Sequence, residues 1–76
     1  MANVLAVRIE ETLRPVIGTV LATVSVDVEA KRIGKTTETV ERVDLPLIAD
    51  NLVSALRLVV GQELAEAAAS KVRELA

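Results

Sequence analysis

Gly34-Lys35-Thr36-Thr37 is the run in this chain that comes nearest to catalytic machinery, because it matches the tail of a phosphate-binding loop. Such a loop needs a glycine five residues before its Gly-Lys pair, so that backbone N–H groups can surround the phosphates. Glu29 occupies that position, and its carboxylate would repel the ligand. Nucleotide binding is therefore not expected. Lys31, Arg32 and Lys35 form the one basic cluster and are a candidate contact for an anion or an acidic partner. At a helix end the same cations would simply complement the macrodipole. Asp27 with Glu29, and Glu38 with Glu41, are carboxylate pairs. General acid–base work needs burial or a like charge close by to raise a pKa, and nothing local in the sequence supplies either. Asp27 stands four residues before Lys31, the spacing of an ion pair on a wet helix face. No catalytic residue is assigned.

The residue types that are missing narrow the chemistry further. The chain has no Cys, no His and no aromatic residue. That removes disulfides, thiolate nucleophiles, zinc fingers and the commonest general base. It also removes the stacking platform used for single-stranded nucleic acid. Met1 is the lone candidate for an axial haem ligand. No cofactor, metal or small-molecule substrate is expected. A net charge of -2 argues against a broad phosphate-binding surface, so nucleic acid is not the expected partner. No uncharged run approaches the roughly 20 apolar residues of a membrane span. The N-terminus lacks a basic segment ahead of its apolar residues, so no signal peptide is read and the expected setting is the cytoplasm.

What remains is an excess of aliphatic side chains. The 76 residues are 51% hydrophobic and include 13 Val, 10 Leu and 4 Ile. A chain of this length makes one domain, residues 1–76, and cannot hide every aliphatic inside itself. Assembly into a homo-oligomer, or onto a partner protein, is the simplest way to cover the surplus.

Gly18, Gly34 and Gly61, with Pro15 and Pro46, divide the chain into four pieces. In Ala2 to Arg14, Leu5, Ala6, Ile9 and Leu13 recur at three- and four-residue steps, which predicts an amphipathic helix ended or restarted by Pro15. Pro15 to Gly34 is ambiguous. Val20, Ala22, Val24, Val26, Val28 and Ala30 alternate with more polar residues as in a strand. Ile17, Val20, Leu21, Val24, Val28 and Lys31 equally make a helix stripe, and Gly34 suits a helix end. Composition alone favours the strand. Lys35 to Val43 is a polar connector, or the partner strand of a hairpin. Asp44 is a candidate N-cap for a helix carrying Leu45, Ile48, Leu52, Ala55, Leu56 and Val59, with Asp50 and Asn51 on its outer face. Gly61 breaks it, and Gln62 to Leu75 forms a last helix with Leu64, Ala65, Ala68, Val72 and Leu75 on one side.

The runs R-P-V-I-G-T-V-L-A, R-I-G-K-T-T-E-T-V, D-L-P-L-I-A-D-N-L and L-R-L-V-V-G together resemble a type of small helical domain found in bacterial proteins of unassigned function. The resemblance covers about three quarters of the chain, and it departs from the pattern at Thr37 and Arg42, where prolines would stand. It is a packing and capping pattern rather than an active-site signature. It implies a helix over 16–33, and so an all-α fold of about four antiparallel helices. The alternative is α+β, with a β-hairpin at about 19–43 flanked by helices.

The expected function is that of a non-enzymatic helical module for self-association or protein–protein interaction. Its expected interface is Leu52, Leu56, Arg57, Val59, Val60 and Leu64, the most apolar segment, with Arg57 laid over it. A small dimeric DNA-binding or antitoxin-like regulator using the Lys31-Arg32-Lys35 cluster is the second expectation. An accessory subunit of a larger complex is the third.

Overall fold

The computed structural model describes residues 2–76, and Met1 with its candidate ligand role lies outside the described residues. Asn3 opens the first helix, its side-chain oxygen accepting the Ala6 backbone N–H at 2.8 Å. Helix α1 then runs Val4–Arg32. Pro15 neither ends nor restarts it. The break falls at Gly18, whose φ of 82° and ψ of 169° belong to a region essentially reserved for glycine.

This break is a reversal. A straight helix of 29 residues would measure about 43 Å, whereas the longest dimension of the Cα trace is 29 Å. The two ends of α1 also lie close together. The Asn3 backbone N–H donates to the Thr37 carbonyl at 2.8 Å, and the Asn3 side-chain amide donates to the Val40 carbonyl at 3.0 Å. Residues 4–17 and 19–32 are thus two limbs of a helical hairpin, fastened where it opens.

The second limb ends in a Schellman motif. The Lys35 N–H donates to the Ala30 carbonyl and the Gly34 N–H to the Lys31 carbonyl, with Gly34 at φ 76°. A short polar connector and a 3₁₀ turn, Arg42–Asp44, lead to α2, Leu45–Val60, and to α3, Gln62–Arg73. Gly61, at φ 90°, separates α2 from α3.

The all-α expectation holds, but there are three α-helices rather than four. The two expected before Gly34 are the two limbs of one element, α1, and they part at Gly18 rather than at Pro15. No strand occurs among the described residues, so the α+β alternative falls. The alternating valines are helical because Ala22, Val26 and Ala30, at four-residue steps, fill the core. Tertiary context overrides β-propensity here.

One buried cluster joins all three helices. It takes Ala6, Ile9 and Leu13 from the first limb of α1, and Ala22, Val26 and Ala30 from the second. Leu45, Ile48, Ala49, Leu52 and Leu56 come from α2, with Ala65, Ala68, Ala69 and Val72 from α3. Three alanines and one valine along α3 allow its backbone to lie close to its neighbours.

Candidate interaction surface

The second limb of α1 has two apolar sides. Its inner side is Ala22, Val26 and Ala30. Its outer side is Val20, Leu21, Val24 and Val28, all exposed, with Val20 retaining 75% of its accessible surface. At about 100° per residue the outer set is centred roughly opposite the inner one. The helix stripe legible in the sequence over Val20, Leu21, Val24 and Val28 is therefore the outward face.

A second exposed group sits at the junction of α2 and α3. Leu58, Val59 and Leu64 are exposed there, Leu58 to 84%, and Arg57 is exposed beside them while Val60 is half-buried. This revises the expected interface. Val59, Leu64 and Arg57 are available at the surface, but Leu52 and Leu56 are not. Those two are among the most deeply buried side chains of α2 and belong to the chain's own core. The apolar stripe of α2 is not a free surface; it is what the other helices pack against. Leu58 and the outer side of α1 were missed as interface residues. The signal for them was two apolar stripes on one helix, more than a single core contact can use.

The basic cluster is dispersed into ion pairs. Lys31 Nζ lies 3.0 Å from Asp27, and Arg32 Nε lies 3.7 Å from the Glu29 carboxylate. Lys35 donates to Glu41 at 3.0 Å and to Asp44 at 2.7 Å. Asp44 stands at the N-cap of α2 as expected, but its carboxylate accepts from Lys35 and from the Glu41 N–H at 2.8 Å rather than from the helix. These bonds hold the Asp44 carboxyl below its ordinary range and raise the Lys35 ammonium. Lys35 is thus a brace for the connector. As a site for an outside anion, the trio is already neutralised by its own carboxylates.

Glu29 is the one buried charged residue among the described residues, 2% exposed on the inner side of α1. Its Oε1 has no hydrogen-bond partner. Burial raises its pKa, and the nearby Arg32 opposes that shift. Val4, Leu5, Arg8, Arg42 and Leu75 line a shallow cleft of about 190 Å³. No cluster of three or more potential metal ligands occurs among the described residues, and no helix there is long and apolar enough to cross a membrane.

Comparison with known proteins finds no matching family model, no matching curated protein and no matching solved structure.

Proposed function

We propose that this chain is a non-enzymatic helical interaction module of the cytoplasm, which covers its surplus aliphatic surface with another polypeptide. The observation that carries this reading is the outward row of Val20, Leu21, Val24 and Val28, set against a core face on the other side of the same helix. A helix with one core contact has no internal use for a second apolar side, and contiguous exposed apolar surface is where protein interfaces form. Leu58, Val59 and Leu64 add a further exposed group.

The test compares the native chain with the double variant Val20→Lys, Val24→Lys. Binding of an environment-sensitive apolar dye and sedimentation equilibrium are read on the same samples. The native chain is expected to bind dye or to associate, and the variant to do neither while keeping its helical circular dichroism. A native chain that is monomeric at millimolar concentration and binds no dye would refute the reading.

A further inference from the structure

The cleft of about 190 Å³ lined by Val4, Leu5, Arg8, Arg42 and Leu75 lies beside the first turns of α1. We propose that it is a binding site for a carboxylate carried on a short aliphatic stem. The proposal stands apart from the outward row of α1 and does not depend on it.

The sequence sets the parts of this cleft far apart, and the fold collects them. Val4 and Leu5 stand four and three residues before Arg8, so the three share one face of the first limb. Arg42 opens the 3₁₀ turn, and Leu75 lies two residues beyond α3. The turn and the start of α1 are fixed to each other. Asn3 donates to the Thr37 and Val40 carbonyls, and Asp44, at the end of the turn, is held by Lys35. The backbones that carry the two arginines are therefore in place before a ligand arrives, which lowers the ordering cost of binding.

Charge distinguishes this cleft from the rest of the basic surface. Lys31, Arg32, Lys35 and Arg73 each have a carboxylate of the chain within ion-pair distance. Neither Arg8 nor Arg42 makes an ion pair or a side-chain hydrogen bond among the described residues. Arg14, Arg57 and Lys71 are unpaired there too, but none of them lines this cleft. The first turn of α1, which supplies Val4 and Leu5, carries no acidic side chain. Two like charges thus share one concavity, uncompensated by the residues around them.

The lining selects the ligand. A guanidinium gives a carboxylate two parallel N–H···O bonds. Val4, Leu5 and Leu75 offer hydrocarbon alone, which suits an aliphatic remainder. A polyanion fits poorly, because a net charge of -2 provides no attraction beyond the cleft. This chemistry occurs in a free short-chain acid and in the last residue of a polypeptide ending in Val or Leu. Both arginines are exposed, so the affinity is expected to be weak, on the order of 1 mM.

The test is a nuclear magnetic resonance titration of the ¹⁵N-labelled chain with hexanoate, and with hexanol as its neutral counterpart. Hexanoate is expected to shift the backbone amides of residues 4–8, 42 and 75, and hexanol to leave them in place. Arg8→Gln and Arg42→Gln should each weaken hexanoate about fivefold, while Arg14→Gln leaves it unchanged. Acetyl-Ala-Val-Leu, as the free acid and as the amide, separates the two sources. A free-acid peptide that binds more tightly than hexanoate, with a silent amide, assigns the site to a polypeptide end; one that binds no more tightly assigns it to a free acid. No shift at tens of millimolar hexanoate, equal shifts with hexanol, or equal weakening by Arg14→Gln overturns the proposal. Dye binding and sedimentation, which report on the outward row, are left untouched by any of these results.

Discussion

Glu29 sets the pH behaviour at the scale of the single residue. Burial gives its carboxyl a native pKa above the ordinary 4.5, so the folded state holds a proton there that the unfolded chain releases. Stability is therefore expected to rise as pH falls from neutral through that raised value toward 4.5. Asp44 acts in the opposite sense. Its contribution is present above its ordinary 3.8 and is lost as pH falls through its lowered native value. Lys35, raised from 10.5, contributes below that value and loses its contribution as pH climbs through the native one. Melting followed by circular dichroism from pH 3 to 8 should show the gain on mild acidification and then a loss. Glu29→Gln should remove the first limb of that profile and stabilise the fold at pH 7 by about 1 kcal/mol, a few degrees in Tm, since a neutral amide is cheaper to bury. Asp44→Ala should cost about 1 kcal/mol by freeing the Glu41 N–H and the Lys35 ammonium together.

Among the elements, α1 was the least legible in sequence. The stripe from Val20 to Val28 and the glycine end at Gly34 were both readable, and both are where they were expected. What could not be read was which of two stripes faces inward. Ala22, Val26 and Ala30 carry less hydrophobicity than Val20, Leu21, Val24 and Val28, yet the smaller set lies inside because small side chains let the limb sit close to the rest of the fold. The reversal at Gly18 was hidden for a different reason. Pro15 offered the stronger local punctuation, but a proline near the end of a limb loses only one backbone hydrogen bond, while only a glycine can adopt φ 82° with ψ 169°. Beyond its chain neighbours and the nearby backbone of α1 itself, no heavy atom lies within 4 Å of where a Gly18 side chain would begin. Gly18→Ala should therefore cost about 1–3 kcal/mol through backbone strain alone, measured as a fall in the urea midpoint. Asn3→Ala should open the other end of the hairpin at a cost of about 1–2 kcal/mol, because it removes a helix cap and the tie to Val40 together.

For the whole molecule, the division between core and surface makes a direct prediction about α2. Leu52→Ala should destabilise by about 3 kcal/mol, whereas Leu58→Ala, six residues on, should stay within about 0.5 kcal/mol. Equal effects in chemical denaturation would mean that α2 is turned the other way. The glycine at residue 18 has one more consequence, which concerns phase. On an uninterrupted helix, Ala6, Ile9, Leu13, Val20, Val24 and Val28 would all fall within an arc of roughly 100°, a single stripe along the full length of α1. The reversal divides that stripe, making one half the interior of the fold and leaving the other on its surface. A residue that favours helix at position 18 would restore one long apolar edge, and two such rods could trade their first limbs while keeping every core contact. Gly18→Ala is accordingly expected to yield, beside destabilised monomer, a dimer that persists for hours after dilution, separable by size exclusion and absent from the native chain.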